Sequence, residues 1–146
     1  MHSYQEEFQP PERLLLGPGP SNANERVLRA MGSPLLGHLD PVFLKIMDDV
    51  KEMLRLVFRT SNTTTFAISG TGSSGIETAM VNSLEVGDII VVGVNGYFGE
   101  RMAQIAERCG ATVHRVNTEW GLPLNPTDIK EELSRHPQVK AVAMVH

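Results

Sequence analysis

A segment rich in glycine and hydroxyl side chains, residues 69–77 (SGTGSSGIE), holds the groups best suited to bind an anion. It follows an apolar run and leads into a helix-like run. A helix start presents unpaired N–H groups and the positive end of the helix dipole, and glycines let an anion approach the backbone. Thr71, Ser73 and Ser74 add hydroxyl donors. The segment therefore predicts a phosphate site; the alternative is a tight strand-to-helix turn without a ligand.

The same glycines, Gly70, Gly72 and Gly75, match the G-x-G-x-x-G pattern of dinucleotide-binding folds. That fold also needs an acidic residue about 20 positions later, at the end of the second strand. The next apolar strand ends in GVNG at residues 93–96, and Asp88 precedes that strand instead of following it. No lysine follows the last glycine, which excludes the P-loop pattern. What remains is a phosphate held by backbone and hydroxyl groups.

Alternating helical and strand-like runs must position this segment. Asp40 and Pro41 predict the cap and first position of an amphipathic helix of about 18 residues. The alternation after residue 64 predicts an α/β domain with a mostly parallel sheet flanked by helices. The expected strands are residues 64–69, 89–94, 112–116 and 139–146, and the expected helices are residues 24–31, 41–58, 76–84, 100–109 and 126–134.

Bulk composition excludes several classes of protein. The net charge of −4 and the lack of basic clusters give no reason to expect a nucleic-acid partner. No apolar run approaches the roughly 20 residues of a membrane span. The single cysteine, Cys109, favours a reducing, cytoplasmic location. No metal-ligand spacing is found, so no metal is expected, and His38 and His114 are interpreted as surface or structural residues.

Four motifs in order resemble the class V pyridoxal-phosphate (PLP) aminotransferases, within them the alanine–glyoxylate and serine–glyoxylate (serine–pyruvate) aminotransferase family. The similarity runs from about residue 13 to the end of the chain. A further motif, LGHLDP at residues 36–41, resembles bacterial and archaeal glyoxylate-linked members, including ureidoglycine–glyoxylate aminotransferases. The four motifs are LLGPGPSN at 15–22, ISGTGSSGIETA at 68–79, LEVGD at 84–88 and VGVNGYFGER at 92–101.

This resemblance implies the large domain of a fold-type I PLP-transferase, usually a homodimer, with residues 14–146 as its truncated N-terminal part behind an arm at 1–13. It implies that Thr71, Gly72 and Ser73 contact the cofactor phosphate. Phe98 falls where the family stacks an aromatic ring on the pyridine ring, a role for which Tyr97 is less suited. Core packing is the alternative for Phe98.

Two further positions gain an implied role from the family. The turn at residues 17–20 resembles a loop near the substrate carboxylate, although a rigid structural turn explains it equally well. His146 matches a position just before a stretch that contacts the cofactor.

The implied activity is transamination from a small amino acid, alanine- or serine-like, to glyoxylate or pyruvate. In relatives the Schiff-base lysine and the aspartate paired with the pyridine nitrogen follow the position of His146, and the carboxylate-binding arginine is also expected there. None of Lys45, Lys51, Lys130 and Lys140 sits in a family-like lysine motif. We therefore expect a fragment that is inactive alone, from an active parent protein.

Other functions stay open. One is a different class V reaction, such as cysteine desulfuration or transamination of ureidoglycine or aminoethylphosphonate. Cys109, at a helix end, is a poor reactive cysteine for a desulfurase. A non-catalytic phosphate- or nucleotide-binding domain is another, and the missing ribose-binding acid counts against it. The last is a truncated product that only pairs with a full-length partner.

Overall fold

The computed structural model describes residues 9–17 and 19–145. The chain divides into two compact units, Met1–Ala67 and Ile68–His146. Most of the expected N-terminal arm lies outside the described residues, and residues 9–13 form neither helix nor strand. Pro18 and His146 also lie outside them, so the roles expected for the complete 17–20 turn and for His146 stay predictions.

The described part of the first unit contains two helices, α1 (Glu25–Met31) and α2 (Pro41–Phe58). The start of α2 is set by its cap: the Asp40 carboxylate accepts a hydrogen bond from the Val42 N–H at 2.8 Å, and Pro41 stands in the first turn. The predicted cap and length of this helix are confirmed. Among the described residues, no helix combines the length and apolar character that crossing a membrane requires.

The second unit is built on a three-stranded parallel sheet. Its strands are β1 (Ile89–Val94), β2 (Thr112–Asn117) and β3 (Ala141–Ala143), in the order β2-β1-β3. Ile89 pairs with Thr112, and Ile90 pairs with Ala141. Since β1 lies between the other two strands and is buried along almost its whole length, its uninterrupted apolar sequence is typical of a central parallel strand.

Helices cover both faces of this sheet: α3 (Gly72–Ser83), α4 (Tyr97–Arg108) and α5 (Pro126–Arg135). Successive strand residues point to opposite faces. On one face, Ile90, Val92 and Val94 pack with buried residues of α3 and α4. On the other face, Val91 packs with Val116 and with Ile129 of α5. The predicted α/β class, with helices flanking a parallel sheet, is confirmed.

One predicted strand is wrong. Residues 64–69 form no strand, although β-branched and apolar side chains predominate in them, as they do in strands. A strand requires a neighbour to complete its ladder of hydrogen bonds. The described strands β1, β2 and β3 pair with one another and not with this segment. The side-chain pattern alone therefore predicted a strand for a segment that has no pairing partner among the described strands.

Three predicted boundaries also need correction. Helix α3 begins at Gly72 instead of residue 76, because Thr71 caps it. Helix α4 begins at Tyr97 instead of residue 100, because the Gly96 carbonyl already accepts a hydrogen bond from the Glu100 N–H. Strand β3 is limited to residues 141–143, so the predicted strand 139–146 was too long.

Candidate functional site

The start of α3 is organised by a reciprocal pair of hydrogen bonds. The Thr71 hydroxyl oxygen accepts from the Ser74 N–H at 3.2 Å, and the Ser74 hydroxyl donates to the Thr71 carbonyl at 2.7 Å. The Gly75 N–H donates to the same carbonyl at 3.1 Å. The third and fourth N–H groups of the helix are therefore used internally. The prediction that Ser74 offers a free hydroxyl donor is wrong, because this hydroxyl serves the cap.

The first two N–H groups of α3, those of Gly72 and Ser73, have no acceptor within the part of the chain that the structure describes. The first turn of a helix leaves such groups unpaired, and the helix dipole places partial positive charge around them. A Cβ added at Gly72 would meet no atom within 4 Å, so the backbone there is open to approach. The helix start thus presents two donors to an anion.

These groups open onto a cleft of about 390 Å³ in the second unit. All four residues predicted to contact a cofactor are brought together in its wall. Two apolar residues complete the lining. The six residues are Thr71, Gly72, Ser73, Ile76, Phe98 and Val145. The arrangement places hydrogen-bond donors at the helix start and apolar side chains around the rest of the cleft.

Phe98 keeps 46% of its surface exposed, so it is not packed in the core. Its ring meets that of Tyr97 edge to face, with centroids 5.3 Å apart and planes at 80°. Tyr97 is not part of the cleft lining, and its hydroxyl accepts a hydrogen bond from Arg101 at 3.3 Å. The free surface of the Phe98 ring is therefore available to a flat ligand, and stacking stays a prediction.

The topology explains why these residues meet. Phe98 lies in the first turn of α4, just after β1, and Val145 lies two residues after β3. In open α/β sheets, ligands bind beyond the carboxyl ends of the parallel strands. Helix α4 packs so close to β1 that a Cβ at Gly99 would lie only 2.8 Å from the Gly93 carbonyl oxygen. Glycine at position 99 therefore permits the close packing of the helix that carries Phe98.

Two cleft residues, Ile76 and Val145, were missed from the sequence. Ile76 stands four residues after Gly72, one helical turn along the same face of α3. Once a helix start is taken as a ligand site, this spacing is a signal that could have found it. Val145 follows a short strand, and the strand-end rule for parallel sheets would have found it.

Asp88 has a structural role, which agrees with the rejection of a dinucleotide site. Its carboxylate accepts from Lys140 Nζ at 2.6 Å and from the Glu85 N–H at 2.7 Å. The Lys140 hydrogen bond, followed by the Glu85 backbone hydrogen bond, holds the pKa of Asp88 below its ordinary value. Asp88 precedes β1, so it stands at the opposite end of that strand from the cleft.

The class-V aminotransferase family matches residues 14–146. The alanine–glyoxylate aminotransferase of Drosophila melanogaster is 44% identical over 134 residues, which are 91% of this chain and 34% of that protein. The (S)-ureidoglycine–glyoxylate transaminase of Bacillus subtilis is 41% identical over 136 residues, covering 93% of this chain and 32% of that protein. The chain thus spans about a third of the length of the curated relatives it matches.

Solved structures give the same assignment. The alanine–glyoxylate aminotransferase from Nostoc sp. superposes with a TM-score of 0.83 at 43% identity, covering 97% of this chain and 37% of that one. The pyridoxamine–pyruvate aminotransferase from Mesorhizobium loti, at 24% identity, shares the fold with a TM-score of 0.75 and covers 85% of this chain and 31% of that one. The family resemblance drawn from the motifs is confirmed, and the chain belongs to the class-V aminotransferases.

Proposed function

We propose that the full-length protein is a PLP-dependent aminotransferase that moves the amino group of a small amino acid, alanine- or serine-like, to glyoxylate or pyruvate. The observation that carries the proposal is the meeting of Thr71, Gly72, Ser73 and Phe98 in one cleft of a class-V aminotransferase chain. Glyoxylate is named in both curated relatives described above, which supports it as the acceptor.

The residues of the cleft fit PLP at its phosphate end. The unpaired N–H groups of Gly72 and Ser73 are donors suited to phosphate oxygens, and the helix dipole favours the negative charge. The Ser73 hydroxyl adds a third donor, because no hydrogen bond of the described residues engages it. Two backbone donors and one hydroxyl can thus bind a phosphate without a lysine or a magnesium ion.

The apolar part of the cleft fits the ring of the cofactor. Phe98 offers an exposed aromatic face, and aromatic rings favour offset stacking on flat groups. Ile76 and Val145 supply further apolar surface. The cleft volume of about 390 Å³ lies within the roughly 300–1,000 Å³ typical of small-molecule sites.

When bound, PLP supplies an electron sink for the carbon that loses its proton during amino transfer. The part of this chain in that chemistry is to hold and orient. Gly72 and Ser73 anchor the phosphate, Phe98 fixes the plane of the ring, and Ile76 with Val145 keeps water from the apolar side. Such positioning lowers the entropy cost of reaching the reactive geometry.

The same proposal extends to the setting of the enzyme. Residues 14–146 are the N-terminal part of its PLP-binding large domain, supported by the extent of the family match. The homodimer is supported by the family match, since the resemblance to class V aminotransferases implies one. A cytoplasmic location is supported by the free cysteine Cys109.

A second amino donor, ureidoglycine, is favoured by one observation. Identity to the ureidoglycine–glyoxylate transaminase, 41%, is almost as high as the 44% to an alanine–glyoxylate aminotransferase. The acceptor is the same in both names, so the two candidates differ only in the donor. Fold and cofactor site do not distinguish them, because donor specificity is set by residues that contact the donor.

The test is amino transfer by the protein at its full natural length, reconstituted with PLP. Alanine, serine or ureidoglycine is supplied with glyoxylate, and glycine is measured. We expect glycine with at least one donor, in equal amount to the keto product of that donor, and no glycine when PLP is omitted. Failure to form glycine from glyoxylate with all three donors, and alanine from pyruvate with serine or ureidoglycine, in protein shown to contain PLP, would contradict the proposal.

A further inference from the structure

Three potential metal ligands meet on the second unit, away from the cofactor cleft. His114 belongs to β2, Glu132 to α5, and His136 caps the end of α5. Each brings one donor atom to within 4.8 Å of the other two. His114 Nδ1 lies 3.3 Å from Glu132 Oε1, and His136 Nε2 lies 3.2 Å from the same oxygen. None of the three residues lines the cleft.

These separations suit a tetrahedral metal ion. With ligand bonds of about 2.0–2.1 Å, two donor atoms on a tetrahedral zinc lie roughly 3.3 Å apart. The two nitrogen–oxygen edges of the cluster, 3.3 and 3.2 Å, have that length. The two imidazole rings stack with centroids 3.6 Å apart and planes at 25°.

The cluster is also held in place. The other oxygen of Glu132, Oε2, accepts from Arg135 Nη1 at 2.9 Å, which orients the carboxylate and leaves Oε1 toward the histidines. The His136 backbone N–H donates to the Glu132 backbone carbonyl at 3.2 Å, which fixes the end of the helix. Side-chain exposures of 26% for His114, 16% for Glu132 and 27% for His136 leave the site partly shielded yet open to an ion.

Spacing along the sequence did not indicate this cluster. Glu132 and His136 stand four residues apart, on one face of a helix. The third ligand, His114, comes from a strand 18 positions before Glu132 and meets it only because α5 packs against β2. The expectation that His114 is only a surface or structural residue, made from spacing alone, did not include this meeting.

We propose that His114, Glu132 and His136 bind a divalent first-row transition ion, Zn²⁺ as the principal candidate. Two imidazoles and one carboxylate form a donor set that zinc accepts, with a fourth position left to water or a small anion. The bound ion links the end of α5 to β2, an edge strand of the described sheet. The site is independent of the aminotransferase proposal.

The test is zinc binding to the protein at its full natural length, stripped of metal by a chelator. Equilibrium dialysis against buffered Zn²⁺ gives the stoichiometry and dissociation constant. We expect one tightly bound ion per chain in the native protein. His114→Gln, Glu132→Gln and His136→Gln should each weaken binding by more than about 100-fold, beyond the roughly 10–100-fold typical of losing a residue that only orients a ligand.

Matched controls separate this site from other surface groups. Glu131→Gln alters the exposed neighbour of Glu132, and His38→Gln removes an exposed histidine of the first unit; both should bind Zn²⁺ as the native protein does. Should a ligand variant fail to fold, the thermal midpoint of the native protein serves instead, and it should rise with added Zn²⁺.

Two results would overturn the proposal. One is the absence of bound zinc and of a zinc-dependent thermal shift in the native protein, which would leave the cluster as one carboxylate in contact with two histidines. The other is binding that the three ligand substitutions leave unchanged. Both readouts are independent of catalysis, so neither result bears on the aminotransferase proposal.

Discussion

At the scale of single residues, neighbouring hydroxyls at the start of α3 have different surroundings. The Ser74 hydroxyl donates to the Thr71 carbonyl and so belongs to the helix cap. Ser73 is one of the residues that line the cleft, and no hydrogen bond among the described residues engages its hydroxyl. The cap of α3 is the Thr71 hydroxyl, which accepts from the Ser74 N–H, and such caps contribute about 1 kcal/mol to stability. A hydrogen bond to a charged group contributes about 1.5–3 kcal/mol, and Ser73 is the serine proposed to make one to the cofactor phosphate.

Phe98 gives the first prediction at this scale. Phe98→Leu keeps an apolar side chain but removes the aromatic face proposed to stack on the cofactor ring. Aromatic pairing contributes about 0.5–1.5 kcal/mol beyond area burial, so we expect PLP to bind about 2- to 10-fold more weakly. Fluorescence titration of the full-length protein with PLP measures this. Trp120→Leu, at a residue 68% exposed and outside the cleft, is the control. Equal PLP affinity in Phe98→Leu and native protein would exclude stacking.

At the scale of secondary-structure elements, α4 packs closely against β1 at Gly99, where the lack of a side chain permits the approach. A Cβ at this position would lie 2.8 Å from the Gly93 oxygen and 3.0 Å from the Val94 Cα. Both are backbone atoms, so relief requires movement of the helix and not of a flexible side chain. Because Phe98 is the adjacent residue, such a movement would also displace the cleft wall.

The second prediction follows from this contact. Gly99→Ala should lower the free energy of unfolding by about 1–3 kcal/mol, the usual cost of overpacking a well-packed contact. Gly75→Ala is the matched control, since it changes a glycine in the first turn of α3 where a Cβ meets nothing within 4 Å. The control should be neutral or slightly stabilising, because alanine favours helix more than glycine does. Urea denaturation measures both, and equal stability of the two variants would contradict the account.

An ion pair joins Asp88, which directly precedes β1, to Lys140, which directly precedes β3. Lys140 Nζ lies 2.6 Å from Asp88 Oδ2. The pairing lowers the pKa of Asp88 and raises that of Lys140, in each case chiefly through the hydrogen bond between them. The stability that Asp88 contributes is therefore present above the ordinary aspartate pKa and is lost as pH falls through the lowered one. The contribution of Lys140 is present below the ordinary lysine pKa and is lost as pH rises through the raised one.

The third prediction is a pH-dependent stability difference. Lys140→Met should be less stable than the native protein near neutral pH, with the gap narrowing as pH falls below about 4, where aspartate takes up its proton. Thermal midpoints over a pH series measure the gap. Lys130→Met, on the exposed side of α5, should show no such pH-dependent gap. A gap that stays constant from neutral to acid pH would argue against the ion pair.

At the scale of the whole molecule, local signals were predictable and long-range ones were not. An apolar run predicted the boundaries of β1. Preferences of single residues predicted the helix caps Asp40 and Asn125 and the positive φ of Gly110 after α4. Residues 64–69 were misassigned because strand formation depends on a partner. The meeting of His114 with Glu132 depends on helix packing, which sequence spacing does not encode.

Only part of the proposed cofactor site could be predicted from the sequence, for the same reason. Its proposed phosphate end lies within one contiguous segment, residues 71–73, so glycine and hydroxyl composition indicated it. Its apolar side comes from α4 and from the residues after β3, which the sheet brings together. The family resemblance supplied Phe98, which composition would have assigned to the core. Ile76 and Val145 required the fold.

The measurement that tests the central claim most directly compares PLP with pyridoxal, which lacks the phosphate. Dissociation constants are measured for full-length native protein and for Ser73→Ala and Ser74→Ala. We predict that Ser73→Ala weakens PLP binding by about 10-fold or more, the value of a charge-assisted hydrogen bond, and leaves pyridoxal binding unchanged. Ser74→Ala should keep the native preference for PLP, because the Ser74 hydroxyl already donates to the Thr71 carbonyl. An unchanged preference for PLP over pyridoxal in Ser73→Ala would contradict the role of the Ser73 hydroxyl, and equal affinity of the native protein for PLP and pyridoxal would contradict a phosphate site at the start of α3.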